Sequence, residues 1–448
     1  MSTPTLNQGQ QAAVDSFFAF LMDENQKEMI ISGPGGVGKS FTVAQMIDTV
    51  MPMYFDNCKL LGLQPMYRDV VVTATTNKAA EVLTKSMGYP AQTIHSYMCL
   101  RVTEDHVTGE VKLKPNGNYE VKQNTIIFID EYSMICHNLR RFLKEGVSKT
   151  CKIVYVGDHA QLAPVMESEI EIAKRGLPTS HLTQPMRTDV PALQKLNEHL
   201  RNCVETGTKP RIELVPGIIE LYDDAQMEAA IQNDFVNQNG NVRILAYSNK
   251  KVQEYNDYVR WLRKLDAEPH TGELLVCNSA VKLGSGKNMK MIPTECELEV
   301  TGVNRTEEVI VQGIDGSFSL ECYNVDVQST YSMFSNVLVP TDKAHWQALI
   351  KYYAKLKDWP TYFKLKQEFA DLRPRDASTV HKAQGSSFDH VYVDLSDISK
   401  CTQFDMALRL LYVAMSRARN KVILYGNLAE RIGEVVDGIC DEYPDSIG

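Results

Sequence analysis

Short runs of β-branched and aromatic residues alternate along the chain with longer amphipathic segments. Seven of these apolar runs have the length and composition of buried strands: 28–33, 69–74, 125–130, 152–158, 242–248, 390–395 and 421–426. Continuous apolar runs separated by helical segments are typical of parallel sheets that are covered on both faces. The pattern therefore predicts an α/β protein in which the first four strands form one core and the last three form a second.

Two segments interrupt this alternation. Residues 100–124 are polar and rich in turn signals, which indicates a small hairpin inserted in the first core. Residues 264–375 contain short alternating strands, such as CELEVTG and EEVIVQG, typical of a small antiparallel β-barrel, followed by a helical stretch rich in lysine and aromatic residues. We therefore expect a first core at 1–99 and 125–184, and a second core at 185–263 and 376–448.

Composition limits the classes of function. The chain has 448 residues, enough for two or three domains, and a formal net charge of −9. That charge argues against coating nucleic acid by charge alone, so a nucleic-acid site must depend on local features. The ten cysteines show no CxxC pair or zinc-ligand spacing, which favours reduced thiols used as small apolar side chains. No signal peptide or membrane-spanning run is evident, so we expect a cytoplasmic protein.

The segment GPGGVGKS, residues 33–40, fits the pattern GxxxxGK[ST] between an apolar strand and a helical stretch. The backbone amides of such a loop converge on phosphate oxygens, and the following helix N-terminus adds its dipole. Lys39 is predicted to reach the β- and γ-phosphates of ATP, and the Ser40 hydroxyl to bind Mg²⁺. The predicted phosphate loop comprises Gly33, Pro34, Gly35, Gly36, Val37, Gly38, Lys39 and Ser40.

An acidic pair, Asp130 and Glu131, ends the apolar run 125–130. A carboxylate at the carboxyl end of a parallel strand lies beside the phosphate loop, where Asp130 can hold the metal ion. Glu131 can then orient or deprotonate the attacking water. Gln161, in the segment GDHAQLAPV, is a candidate for linking the γ-phosphate to the rest of the protein. An acidic pair in this position is also a common surface feature, and the phosphate loop is what favours catalysis.

The order and spacing of these segments resemble superfamily 1 helicases of the RecD/Dda branch. The match runs from LNQGQQ near the start to LLYVAMSRARNKVIL near the end, and HKAQGSSF and GDHAQLAPV resemble this branch in particular. The resemblance implies two RecA-like P-loop cores, a pin hairpin in the first, and an SH3-like barrel with a helical arm in the second. It also implies an ATP-dependent DNA helicase that moves 5′ to 3′ on single-stranded DNA and unwinds duplex as the cores close and reopen.

The resemblance assigns roles around the nucleotide. Gln10 is similar to the glutamine that reads adenine, and Gln384 and Gly385 are similar to residues that approach the nucleotide from the second core. Arg187 and Arg417 resemble the two arginines that reach the γ-phosphate across the cleft, where a guanidinium clamps phosphate oxygens in a bidentate manner. The implied catalytic residues are Lys39, Glu131, Gln161, Arg187 and Arg417.

A track for the phosphates of DNA is implied by the same resemblance. Asn77 departs from the family pattern, which has a histidine there, and each polar residue taken singly is more often an ordinary cap or loop residue. Tyr119 either stacks on a base at the fork or packs against the core, and segment 343–375 either braces the pin or contacts DNA. The implied DNA-binding residues are Thr75, Asn77, Thr93, His95, Tyr119, Ser248, Asn249, Thr379 and His381.

The expected partners are single-stranded DNA and forked duplex DNA, with replication or single-strand-binding proteins as further candidates. We expect a chain that functions as a monomer, away from membranes, and in the host cytoplasm if a phage encodes it. One alternative is an ATP-driven translocase that displaces bound proteins without appreciable strand separation. Another is a P-loop NTPase unrelated to nucleic acid, which leaves the ordered downstream motifs unexplained.

Overall fold

The computed structural model describes residues 5–104, 111–164, 170–184, 188–237, 240–284, 289–330 and 332–437. A π-helical turn, Met46–Val50, lies between the second and third helices. In chain order, the elements up to residue 181 are α1 (Gln8–Met22), β1 (Glu28–Ser32), α2 (Lys39–Gln45), α3 (Met51–Leu60), β2 (Asp69–Ala74), α4 (Asn77–Met87), β3 (Ala91–Thr93), α5 (Ile94–Tyr97), β4 (Leu100–Glu104), β5 (Val111–Pro115), β6 (Thr125–Asp130), α6 (His137–Gly146), β7 (Lys152–Gly157), α7 (Glu171–Lys174) and β8 (Thr179–His181).

These elements form a six-stranded parallel sheet in the order β3-β2-β6-β7-β1-β8. Its central strands are apolar on both faces, and every residue of β7 is buried. One apolar cluster packs α1 and α3 on one face, and another packs α5 and α6 on the other. The predicted α/β core with a buried parallel sheet is confirmed. The carboxyl ends of β1, β6 and β7 lie together at one edge, where ligands bind in open parallel sheets.

The predicted hairpin is present as β4 and β5, which pair in antiparallel register from Leu100–Pro115 to Glu104–Val111. Residues 105–110, which connect the two strands, lie outside the described residues. The Asn116-Gly117 turn signal follows β5. There the chain turns back towards the core, and the amide of Asn116 donates a hydrogen bond to the Cys99 carbonyl oxygen at 2.8 Å.

The remaining elements continue from residue 191. In chain order they are α8 (Pro191–Thr206), β9 (Arg211–Leu214), β10 (Ile219–Tyr222), α9 (Asp224–Ala230), β11 (Val242–Ala246), α10 (Asn249–Leu262), β12 (Leu274–Cys277), β13 (Val281–Leu283), β14 (Lys290–Ile292), β15 (Glu297–Gly313), β16 (Gly316–Gln328), β17 (Met333–Pro340), α11 (Lys343–Leu356), α12 (Trp359–Gln367), β18 (Leu372–Pro374), β19 (Ala377–Thr379), α13 (Val380–Ala383), β20 (Phe388–Asp394), α14 (Leu395–Ile398), α15 (Phe404–Met415), β21 (Ala418–Tyr425) and β22 (Glu434–Asp437).

A second parallel sheet is built from strands of the later segments, in the order β10-β21-β20-β11-β19. Three of its strands were predicted from their apolar runs. The edge strands β10 and β19 are only four and three residues long, which is too short for a clear apolar pattern. Helix α15 is the most apolar helix here, and all of its residues from Leu410 to Met415 are buried against this sheet.

The inserted segment forms a five-stranded antiparallel sheet in the order β17-β16-β15-β12-β18. The backbone amide of Ala370, just before β18, donates a hydrogen bond of 2.8 Å to the Leu338 carbonyl oxygen of β17. This bond connects the two edges of the sheet. The small antiparallel sheet is therefore as predicted, while its SH3-like character stays a prediction. The two short strands expected at CELEVTG and EEVIVQG are one strand, β15. Register shifts near Gly302 let it continue through the expected turn.

The two cores contact each other through the loop after β7. Ala160 and Leu162 of this loop are fully buried in the apolar cluster that contains α8 and α15. The first core therefore inserts part of its GDHAQLAPV segment into the second. Among the described residues, no helix is long and apolar enough to cross a membrane.

Candidate nucleotide and DNA sites between the two cores

The phosphate loop joins β1 to α2 at the carboxyl edge of the first sheet. Gly36 and Gly38 have φ angles of 87° and 78°, a left-handed backbone that glycine adopts without steric cost. The Lys39 Nζ donates hydrogen bonds to the carbonyl oxygens of Gly33 at 2.8 Å and Pro34 at 2.9 Å. Lys39 thus lies over the loop, and phosphate oxygens would replace these carbonyls as its partners.

Gln10 supports the phosphate loop from α1. Its side-chain Oε1 accepts a hydrogen bond from the backbone amide of Asn7, and its backbone amide donates one to Asn7 Oδ1. These two bonds form a capping box at the start of α1. Its Nε2 donates to the Val37 carbonyl oxygen at 3.2 Å. A side-chain carbon on Gly38 would lie 2.6 Å from this nitrogen. Gln10 therefore lies beside the loop, with both ends of its side-chain amide hydrogen-bonded to protein.

The acidic pair lies at the end of β6. Burial, and after it the charge of Glu131, raise the pKa of Asp130 to about 7, while Lys39 acts to lower it. Glu131 has a φ of 56°, an uncommon backbone for a residue with a side chain and one that is often found at functional sites. Among the described residues, the buried Glu131 Oε2 has no hydrogen-bond partner. This orphaned oxygen fits a site that takes water or hydrated Mg²⁺, which binds through few carboxylates.

Gln384, at the end of α13, reaches across from the second core to the first. Its Nε2 donates hydrogen bonds to Gln161 Oε1 at 2.9 Å and to Ser133 Oγ at 3.1 Å. A side-chain carbon on the neighbouring Gly385 would lie 3.9 Å from Glu131 Oε1. The structure thus brings Gln161, Gln384 and Gly385 together beside the acidic pair.

Arg417 follows α15 and is almost completely buried in the same cleft, with 1% of its surface exposed. Its Nε donates to the Val413 carbonyl oxygen at 3.0 Å, and its Nη2 donates to Ser416 Oγ at 3.0 Å. Burial lowers the pKa of the guanidinium, and the charge of Glu131 is the largest influence that raises it. The main opposite charge that acts on this buried cation therefore lies on the first core. Arg187 lies outside the described residues.

Asp158 forms a contact between the cores that the sequence analysis missed. It is fully buried, and its Oδ2 accepts a hydrogen bond of 2.6 Å from the Tyr412 hydroxyl. Arg201 Nε lies 3.5 Å from its Oδ1. Arg409 Nη1 donates to the carbonyl oxygens of His159 and Gln161, both at 2.6 Å. The position of Asp158 three residues before Gln161 was a visible signal, but its hydrogen-bond partner Tyr412 lies 254 residues away.

Three of the expected DNA-binding residues are helix caps. Thr93 caps α5, Ser248 caps α10 and Thr379 caps α13, each by accepting a hydrogen bond from the amide three residues on, at 3.1, 3.3 and 3.4 Å. Ser248 Oγ also donates to Asp397 Oδ1 at 2.9 Å. The capping role is therefore present at these positions, where each side chain satisfies a backbone amide at the start of its helix.

The other expected track residues differ in exposure. Asn77 and Asn249 are exposed at the first positions of α4 and α10, whereas Thr75 is buried and its Oγ1 has no partner among the described residues. Burial lowers the pKa of His95 and of His381 below the ordinary histidine value. Both imidazoles are therefore neutral at neutral pH and add hydrogen bonding, not positive charge, to this surface.

Tyr119 lies against the first core. It is partly buried in the cluster that contains Leu139 and Phe142, and its ring covers Gly146. In the helical arm, Trp346 is buried and its Nε1 donates to the Leu365 carbonyl oxygen at 3.0 Å. In the structure, therefore, Tyr119 packs against the core, which is one of its two alternatives, and Trp346 packs within the helical arm.

Glu297, at the start of β15, joins the first core, the second core and the insert. Its carboxylate lies 3.2 Å from Lys78 Nζ of α4, 3.3 Å from Arg243 Nη2 of β11 and 3.6 Å from Arg375 Nη1. Burial alone would raise the pKa of Glu297, but these three cations lower it to about 2. The carboxylate is therefore ionised at any working pH, and it connects α4 to the insert across the groove beside Asn77.

The arrangement defines a P-loop NTPase built from two RecA-like cores, with the nucleotide residues of both cores meeting in one cleft. A family model described as an AAA domain matches residues 5–209, and one described as a UvrD-like helicase C-terminal domain matches residues 376–425. The chain is 22% identical to the protein named ATP-dependent DNA helicase dda of Enterobacteria phage T4, over 94% of this chain and 99% of that protein.

A second relative is the protein named ATP-dependent DNA helicase Pif1 of Campylobacter jejuni, which is 23% identical over 88% of this chain and 87% of its own length. Among solved structures, the Pif1 helicase from Bacteroides in complex with ADP-AlF3 and single-stranded DNA has a TM-score of 0.49 and 15% identity, and covers 96% of this chain and 95% of that chain. The chain belongs to superfamily 1 helicases of the Pif1- and Dda-like group.

Proposed function

We propose that this chain is an ATP-dependent DNA helicase that moves 5′ to 3′ on single-stranded DNA and unwinds duplex. One observation carries the proposal. Helix α13 is capped by Thr379, an expected DNA contact, and is followed by Gln384, which bonds to Gln161 beside the acidic pair. A four-residue helix would thus connect the proposed DNA contact to the proposed nucleotide site. Closure of the cores around ATP would therefore move the DNA grip of the second core.

The residues of the cleft have separate roles in this proposal. Lys39 would exchange the carbonyl oxygens of Gly33 and Pro34 for phosphate oxygens, and Glu131 would hold and deprotonate the attacking water. Arg417 would stabilise the charge that develops on the transferred phosphoryl group. Gln161 and Gln384 would report the presence of the γ-phosphate to the second core. Gln10 would face the base of the nucleotide, and Arg187 would act as a second cation.

Ser40 and Asp130 would hold Mg²⁺, which neutralises charge on the phosphates when it is bound. Because the pKa of Asp130 is raised to about 7, most molecules carry a protonated Asp130 at pH 6 in the absence of metal. Mg²⁺ binding then has to release this proton, so its apparent affinity falls as the pH falls.

We expect the Mg²⁺ concentration that half-saturates ATP hydrolysis to rise by about tenfold per pH unit below pH 7. The measurement is a Mg²⁺ titration of ATPase activity at fixed free ATP, at pH 6, 7 and 8. Turnover at saturating Mg²⁺ serves as the control for other titrating groups. An unchanged half-saturating Mg²⁺ concentration between pH 6 and 8 would contradict the metal role of Asp130.

The proposed activity is tested with tailed duplexes. Purified protein should hydrolyse ATP much faster with single-stranded DNA than without, and should unwind a duplex with a 5′ tail but not one with a 3′ tail. Equal hydrolysis with and without DNA would overturn the coupling between α13 and Gln161. Unwinding from the 3′ tail alone would overturn the direction while leaving the motor in place.

A translocase that displaces proteins without separating strands is the second candidate, and the packing of Tyr119 against the first core favours it. In that position the ring of Tyr119 is packed against the core and is not available to stack on a base at a fork. DNA-stimulated hydrolysis without strand separation, together with displacement of a bound protein from single-stranded DNA, would support this candidate over the first.

A further inference from the structure

A basic groove lies on the first core at the end of the sheet opposite to the phosphate loop. Its floor is formed by the starts of β1 and β7, and its wall by α6 and the residues that follow this helix. The groove has a volume of about 540 Å³, within the size range of ligand-binding clefts. Six cationic side chains line this α6 groove: Lys27, Arg140, Arg141, Lys144, Lys149 and Arg175.

Two of the cations are held in place by the two acidic residues of the groove. Arg140 pairs with Glu171, and Arg175 donates to both oxygens of Glu28, one of them at 2.8 Å. Within each pair, the positive and the negative charge cancel. The surplus positive charge of the groove therefore comes from the other four cations, although the chain as a whole carries a net charge of −9.

Three of these four cations face solvent, and Lys27 is partly buried. Arg141, Lys144 and Lys149 are exposed, and no acidic partner is found for any of them among the described residues. Helix α6 buries its apolar side through Leu139 and Phe142, so the charged side is left outward. Exposed cations without acidic partners are the groups that bind phosphates and release counterions from DNA.

The α6 groove adjoins the base of the hairpin. The segment that leaves the hairpin pairs with the end of α6, because the Lys122 amide donates to the Gly146 carbonyl oxygen and the Ser148 amide donates to the Lys122 carbonyl oxygen, both at 2.9 Å. Tyr119 packs over Gly146 from the same segment. A DNA strand that separates at the hairpin would therefore meet the outward side of α6 first.

We propose that the α6 groove binds the phosphodiester backbone of the displaced strand, the strand on which the motor does not move. This inference rests on the proposed helicase function and adds a second DNA site to it. Arg141, Lys144 and Lys149 are its main contacts, and they lie away from the cleft that contains Lys39 and Arg417. Holding the displaced strand would oppose its reannealing behind the fork.

The test uses the triple variant Arg141→Gln/Lys144→Gln/Lys149→Gln in the full chain. The control variant Lys59→Gln/Lys195→Gln/Lys209→Gln removes the same charge from other exposed positions. Three forks share one loading tail: one with a natural displaced flap, one with a methylphosphonate flap without charge, and one with methylphosphonates in the duplex arm instead. Affinity is measured over a range of salt concentrations, and unwinding is measured in single turnover.

We expect wild-type protein and the control variant to bind and unwind the natural fork better than the fork with a neutral flap. The triple variant should treat these two forks alike. Its slope of log affinity against log salt should be shallower by about 2, since each lost single-strand contact contributes about 0.7. ATP hydrolysis stimulated by single-stranded DNA should be the same in all three proteins, because these residues are outside the cleft.

The proposal is overturned if wild-type protein does not distinguish the natural flap from the neutral flap, or if the triple variant still does. It is also overturned if only the neutral duplex arm weakens binding, since the groove would then hold the parental duplex. Failure of the helicase function has a different signature, which is wild-type protein without DNA-stimulated hydrolysis or strand separation on any fork.

Discussion

Replacing Arg417 by alanine is expected to lower ATP turnover at saturating single-stranded DNA by about 10³-fold or more, the effect of an arginine that stabilises phosphoryl transfer. Arg417 is buried on the second core, and the charge that influences it most is Glu131 on the first. Under the proposed role, its guanidinium would reach the phosphate site only when both cores are in place. Steady-state ATPase with and without DNA measures the loss.

Because Arg417 is buried, the alanine variant could lose activity by unfolding, and Arg417→Lys is the matched control. Lysine keeps the positive charge but cannot bind phosphate oxygens in a bidentate manner, so this variant should remain much slower than wild type. Thermal unfolding and binding of a fluorescent ATP analogue should report a folded protein that still binds nucleotide. Turnover near the wild-type rate in Arg417→Lys would contradict the proposed role.

Replacing Glu131 by glutamine is expected to lower ATP hydrolysis by about 10² to 10⁴-fold while ATP and DNA still bind, since a positioned general base contributes this much. The substitution preserves the shape of the side chain and removes the charge of the buried Oε2, which has no partner among the described residues. Single-turnover hydrolysis, measured beside nucleotide binding, separates the loss of chemistry from the loss of affinity.

The same variant has a second expected effect. The charge of Glu131 is the largest cause, after burial, of the raised pKa of Asp130, so Glu131→Gln should lower this pKa towards its ordinary value. The pH below which Mg²⁺ binding weakens should then move down, as measured by nucleotide binding in Mg²⁺ titrations. Glu145→Gln, at an exposed position on α6, is the control for a lost acidic charge. Hydrolysis within a few-fold of wild type in Glu131→Gln would contradict the catalytic assignment.

The parallel sheets could be predicted because their central strands are buried on both faces, which leaves continuous apolar runs such as 125–130. The short edge strands β10 and β19 lack such runs, since pairing with a neighbouring strand is enough to hold three or four residues. The single strand β15 was also missed. Its turn-like sequence is accommodated by register shifts near Gly302, and these depend on pairing with β16 and not on local preference.

The candidate site could be predicted where one short segment contains the chemistry, as in the phosphate loop and the Asp130-Glu131 pair. Contacts between segments distant in the chain could not. Nothing near Asp158 indicates that Tyr412 donates a hydrogen bond to it, and nothing near Gln384 indicates Gln161 as its partner. For Tyr119 the sequence could not decide between two roles, because an aromatic residue near a turn signal is compatible with either stacking or packing.

The shared carboxylate of Glu297 indicates where the molecule can open. Arg243 is 4% exposed and Lys78 is 30% exposed, so water weakens the Lys78 pair far more than the Arg243 pair. We expect the insert to stay with the second sheet and to separate from α4. The gap between the insert and α4 would then be a lateral entrance to the groove. It would admit a DNA strand that has no free end, for example the single-stranded part of a gapped circle.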